Sequence, residues 1–220
     1  MAEKKDPPYF MYFPGNYRWS AAMLGMLSTA GWGGSDINEV DRIGRPLKGA
    51  RVGDDDAWFR EWAREARTVE DRGRERIAEG FTTSGAQYLH RASAYYHVGE
   101  RFLQPKSKEG LDAYMRGVAC FRDAAKYIKR PRMEHVEIPY GGTSLPAVYV
   151  HAEPANSSGK VPAVVFFDGL DVTKETQYFK GVADLVARGI ACLIVDGPGN
   201  GESIRFRNLY LRHDTEHYAT

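Results

Sequence analysis

The chain has 220 residues, 43% of them hydrophobic and 27% charged, with a net charge of +1, which is ordinary globular composition and enough for one large domain or two small ones. That near-neutral balance leaves no electrostatic footprint for nucleic acid or an anionic membrane, so neither is expected as a partner. Cys120 and Cys192 fall in helical and strand patterns without metal-type neighbours, and the apolar run from Trp19 to Ala30 is too short to span a bilayer; a reducing cytoplasm is the expected setting.

Residues Met1 to Pro8 are charged and proline-bearing and read as a loose terminus. Tyr9 to Gly34 is dense in aromatics and methionines that must be buried against something. A helix is expected over Ser20 to Thr29, closed by Gly31 and Gly33-Gly34. These aromatics read first as core; the sharper reading has Tyr17 and Trp19 lining an apolar substrate pocket. Asp36 to Gly53 is glycine-rich and polar and is expected to be a connecting loop.

Asp54 to Asp56 then cap a long helix with Trp58, Phe59 and Trp62 at helical spacing and a mixed-charge solvated face. Further helices are expected over Thr83 to Glu100 and, after Gln104-Pro105, Lys108 to Ile128, giving an antiparallel helical layer. A helical-repeat scaffold binding a protein partner is the rival reading for this half, but no self-similar period of about 34 residues recurs.

At Lys129-Arg130-Pro131 the helical periodicity stops. Glu134 to Tyr140 alternates as an exposed strand, Gly141-Gly142 turns, and Ser144 to Glu153 is its hairpin partner. Ala155 to Lys160 reads as a surface loop. Pro162 to Phe167 has the all-apolar pattern of a strand buried on both faces, Thr173 to Arg188 that of a crossover helix, and Ile190 to Val195 that of the next parallel strand. A hairpin followed by β, α and β is the opening of an α/β-hydrolase sheet.

Each of the last two strands ends in a glycine turn, at the carboxyl edge where open α/β folds place their chemistry. In the first, Asp168-Gly169-Leu170-Asp171, glycine lets the chain turn sharply and leaves N–H groups facing the cleft, where they can hold a developing oxyanion. Position assigns that donor to the Leu170 backbone N–H, with Gly169 beside it and Asp168 and Asp171 as substrate contacts. Thr173 is a natural N-cap. Lys174 and Glu175 read as a surface pair in the first helical turn, or else as an anchor behind the oxyanion loop.

The second turn, Asp196-Gly197-Pro198-Gly199-Asn200-Gly201-Glu202-Ser203, is neither a dinucleotide fingerprint, which needs glycine where Glu202 stands, nor a phosphate loop, since no Gly-Lys-Ser/Thr follows. Ser203 lacks the closing glycine of a nucleophile elbow and reads as a loop-stabilising hydroxyl. His213, Asp214 and His217 read as a solvated segment.

Asp196, Pro198, Gly199, Gly201 and Ser203 after an apolar strand resemble the turn after the fourth strand of α/β-hydrolases. Gly169, Leu170, Asp171, Lys174 and Glu175, together with more than a hundred residues of preceding helix, resemble a narrower group: the 2,6-dihydroxypseudooxynicotine hydrolase and fungal polyketide-shortening hydrolases, with FrsA-like esterases more distant. Many hydrolases have His-Gly at the oxyanion turn where this chain has Asp168-Gly169. The resemblance implies a helical cap over residues 1–130 and the N-terminal part of a hydrolase domain, with its first four strands, over 131–220. It implies a serine hydrolase without a cofactor, acting on a small molecule: cleavage of a carbon–carbon bond next to a carbonyl, or of an ester, in a bulky aromatic or polyketide-like compound. A homodimer built through the cap is a further implication.

In that fold the serine elbow, acid and histidine follow the fifth strand, and no elbow occurs between Ile204 and Thr220. The nucleophile is therefore expected in a C-terminal half outside these residues, and 1–220 alone is expected to be inactive. The fourth strand, Cys192 to Val195, is expected to present an open apolar edge that makes the isolated chain aggregate.

Overall fold

Asn16 accepts a hydrogen bond from the Trp19 amide and starts α1 (Tyr17–Leu27), a turn earlier than the apolar pattern suggests. The computed structural model describes residues 10–153, 160–169 and 171–219. The expectations for 1–8, for the loop at 155–159 and for Leu170 lie outside the described residues.

The segment expected as a loop contains α2 (Ile37–Leu47). The Asp36 carboxylate accepts from the Asn38 and Glu39 amides, and Val40, Ile43 and Leu47 bury one face. Its glycine serves close packing: a Cβ on Gly44 would run into the Tyr12 ring.

Asp54 caps α3 (Asp55–Ala78), which is followed by α4 (Thr82–Glu100) and α5 (Lys108–Ala125), the last capped by Ser107. Helices α3 and α4 approach so closely at Gly73 and Gly85 that a Cβ on Gly85 would lie 2.6 Å from the Gly73 carbonyl. Every residue from Ala92 to Glu100 is buried, which makes α4 the central helix of this layer.

Strands β1 (Met133–Tyr140) and β2 (Thr143–Val150) form the expected antiparallel hairpin, and β3 (Ala163–Phe167) runs parallel to β4 (Ala191–Val195). The order is β1-β2-β4-β3, with β2 and β4 antiparallel. This corrects the expected edge. After β3 the chain returns to insert β4 between β2 and β3, so the central strand is β4, while β3 carries exposed Ala163, Val165 and Phe167 rather than burying both faces.

The crossover is also two short helices rather than one. α6 (Lys174–Tyr178) and α7 (Val182–Val186) are separated at Gly181, whose φ of 85° interrupts the helix. One hydrophobic core runs from Phe13 and Trp19 through Trp58, Tyr95 and Phe121 to Val148, Cys192 and Ile194, so helical layer and sheet share an interior. Because β3 and β4 are parallel, their carboxyl ends bring both glycine turns to one edge. No helix among the described residues is long and apolar enough to cross a membrane.

Candidate active site

The second turn is sealed. From Asp196 to Ser203 every residue is buried, and the turn leads into α8 (Gly201–Phe206). The Asp196 carboxylate, wholly buried, accepts from the Lys174 amide at 2.9 Å and the Glu202 amide at 3.0 Å, so one negative charge sits at the start of both α6 and α8. Gly201, at φ 48°, is required here because a Cβ would collide with that carboxylate. The Ser203 hydroxyl donates to the Asp196 carbonyl at 2.6 Å and is inaccessible to solvent, a loop-holding role.

Lys174 and Glu175 are no surface pair: they are 1% and 0% exposed. The Lys174 ammonium lies 2.9 Å from Asp196, 2.6 Å from Glu202 and 2.7 Å from Glu175. Burial works against its charge, but the three carboxylates outweigh it and hold the pKa above the ordinary lysine value. Burial likewise pushes Asp196 up, whereas at Glu175 the attraction of Lys174 and His97 overcomes burial and lowers the pKa. A buried charge of this kind is tolerated only with partners on every side. The local cause is sequence-simple: Thr173 caps α6 with a reciprocal capping box to Thr176, which points the next two side chains inward beneath both turns.

The described residues of the first turn are more exposed. Gly169 and Asp171 are exposed and Asp168 is half-buried, with its carbonyl accepting from the Asn200 side-chain amide across the gap between the turns. Burial raises the Asp168 carboxyl to about 6, with Lys180 opposing and Asp196 adding to the rise. The Val172 amide donates to the Gly169 carbonyl at 3.1 Å, closing the turn on itself.

The helical layer reaches both turns through its central helix. Thr173 Oγ1 lies 3.2 Å from His97 Nδ1, and Arg101, just past α4, pairs with Asp171 at 2.6 Å. Glu100, fully buried, holds Arg205 of α8 at 2.7 Å and Lys106 at 2.8 Å, while Arg122 of α5 lies 3.6 Å from Glu202. Between these groups is a small polar cavity of about 140 Å³, lined by His97, Arg101, Lys106, Asp171, Thr173 and Arg205 among others.

Of the residues singled out in the sequence, Asp168, Gly169 and Asp171 come together at the first turn. Tyr17 and Trp19 lie away from that cavity: Tyr17 borders a separate apolar cavity with Phe10 and Leu24, and Trp19 another with Tyr12, Phe13 and Leu47. Trp19 is buried against Trp58, whose ring lies 5.3 Å away, and Tyr17 is an exposed residue at the start of α1. Asp214 pairs with Arg212 at 2.7 Å and His217 at 3.2 Å, both at the surface. Sequence reasoning missed His97, Glu100 and Arg101, which look like ordinary helix residues; only their clustering near the α4 terminus hints at a second task. Among the described residues no group of three or more His, Cys, Asp or Glu could hold a metal ion.

A helical layer packed on a mixed sheet, with glycine turns after its two parallel strands, defines the N-terminal architecture of an α/β-hydrolase. The chain belongs to the FrsA-like esterase family: the family model described as "Esterase FrsA-like" matches residues 45–217. Among curated proteins it is 31% identical over 224 residues to the hydrolase acrC of Aspergillus aculeatus, covering 96% of this chain and 51% of that protein. It is 33% identical over 212 residues to the hydrolase LUC6 of a Fusarium species (94% and 49%). To the 20-hydroxy-prefusarin hydrolase FUS2 of Gibberella moniliformis it is 30% identical over 206 residues (90% and 47%). The chain spans about half the length of these relatives. The crystal structure of the 2,6-dihydroxy-pseudo-oxynicotine hydrolase superposes with a TM-score of 0.67 at 24% identity, over 88% of this chain and 51% of that one, and shares the fold. These matches favour the hydrolase over a helical-repeat scaffold.

Proposed function

We propose that this chain supplies the cap and the oxyanion side of a serine-type α/β-hydrolase, with the nucleophile, acid and histidine contributed by sequence outside these 220 residues. The observation that carries the reading is the contrast between the two turns. The second is consumed by its own internal bonds, whereas Gly169 and Asp171 of the first are exposed at the carboxyl edge of β3. Attack of a serine on a carbonyl carbon places negative charge on the carbonyl oxygen. The Leu170 backbone N–H is the donor offered to that oxygen, with Gly169 allowing the close approach.

The substrate is a bulky aromatic or polyketide-like carbonyl compound, cleaved at an ester or at a carbon–carbon bond next to the carbonyl. Support comes from FUS2, named for a prefusarin substrate, among relatives that are themselves hydrolases.

The test is turnover of an activated aryl ester by the polypeptide that carries this chain, wild type against Leu170→Pro. Deleting one oxyanion donor should lower kcat by about 100-fold or more with little change in KM. Unchanged kcat in a folded variant contradicts the assignment.

A further inference from the structure

Among the described residues, the first turn is held by the Val172-to-Gly169 bond and the Asn200 contact with the Asp168 carbonyl, its descent into α6 by the Thr173 capping box and the Lys174 amide on Asp196, and the Asp171 side chain by Arg101 from the helical layer. Asp171 is 62% exposed at its side chain, whereas Arg101 is only 22% exposed. The guanidinium is oriented before it meets Asp171, because it lies over the Phe102 ring, 4.9 Å from the centroid. Phe102 in turn packs on Trp58, 5.2 Å away in the aromatic interior of the cap, and Trp58 donates to the Val98 carbonyl at 2.9 Å. Two cations lie over Phe102 at the end of this aromatic stack: Arg18, 4.5 Å from the centroid and paired with Asp55, and Arg101, which alone of the two ends on the first turn.

We propose that Arg101 is a positioning residue: it fixes the first turn relative to the cap through Asp171, so that the docked cap, and not the sheet alone, sets the geometry of the oxyanion side. The consequence for catalysis rests on the oxyanion role proposed above; the positioning itself does not. His97, bound to Thr173 one step deeper, supports the same turn. Its burial makes it a poor probe, because truncation would leave a hole beneath α4. Arg101 is the clean probe, since an ion pair with one exposed partner contributes little to global stability.

The experiment compares wild type, Arg101→Ala, Arg101→Lys and the charge swap Arg101→Asp/Asp171→Arg in the hydrolase polypeptide. It reads amide hydrogen exchange at Asp171 and Val172, thermal melting, and ester kcat and KM. The alanine variant should melt as wild type does, exchange roughly two- to fivefold faster at these two amides, and lose kcat by a similar factor with KM unchanged. The lysine variant and the swapped pair should recover part of both effects. If wild type turns over no ester while Arg101→Ala still speeds exchange, the positioning role stands and the oxyanion reading falls. Unchanged exchange at Asp171 and Val172 in Arg101→Ala overturns the positioning role whatever the turnover, as does failure of the swapped pair to recover any protection.

Discussion

Two turns that both begin Asp-Gly follow two parallel strands, yet one is buried throughout while the other exposes Gly169 and Asp171. The second turn spends its polar groups inward: the Asp196 carboxylate on two amides and Lys174, the Ser203 hydroxyl on a carbonyl, Glu202 on the same ammonium. The first keeps Gly169 and Asp171 exposed and takes its restraint from Asn200 on one side and Arg101 on the other. Glycine after a strand thus marks where a chain can turn, but the bonding of its neighbours decides whether the turn is a joint or a working surface.

The contrast breaks most visibly at Lys174. Lys174→Met leaves Asp196, Glu175 and Glu202 buried around an apolar side chain, and should cost about 3–5 kcal/mol, read as a large drop in thermal stability. A stable variant would mean that the carboxylates are hydrated and the second turn is less sealed than its burial indicates. A smaller effect is expected at Ser203. Ser203→Ala removes a buried hydrogen bond and should cost about 1 kcal/mol while leaving ester turnover by the hydrolase polypeptide unchanged.

The smallest effect belongs to the first turn and depends on pH. The Asp168 carboxyl titrates at about 6 in the folded chain against an ordinary value of 3.8. The folded state therefore holds the proton more tightly, and this group's contribution to stability falls as pH rises through that interval. Asp168→Asn should raise the melting temperature relative to wild type at pH 7 and not at pH 3.5. The gain should stay below about 1 kcal/mol because Asp168 is only partly buried. An equal gain at both pH values would show that ionisation of Asp168 is not what is relieved.

Much of the fold was legible in the residues. The Glu134–Tyr140 alternation, the apolar strands around Val165 and Leu193, and the Thr173 cap each place an element by local rules that tertiary structure did not override. The misses have physical causes. Gly44 and Pro46 disguised α2, where glycine was selected by the Tyr12 ring pressed against it. Strand order is not encoded by periodicity, so the open edge fell to β3 instead of β4. Lys174 and Glu175 carry the composition of a solvated helix start, and only the approach of Asp196 from a strand 22 residues later makes their burial tolerable. Arg101 gave little local signal beyond its place beside His97 and Glu100, because its partner Asp171 lies across the boundary between helical layer and sheet.

The central claim is that the catalytic serine is not in either turn. Labelling the active hydrolase polypeptide with a fluorophosphonate and mapping the modified peptide by mass spectrometry tests it directly. The modified serine should lie outside these 220 residues, with Ser203 unlabelled beneath the Asp196 carbonyl; label on Ser203, or on any other serine of this chain, would contradict the account.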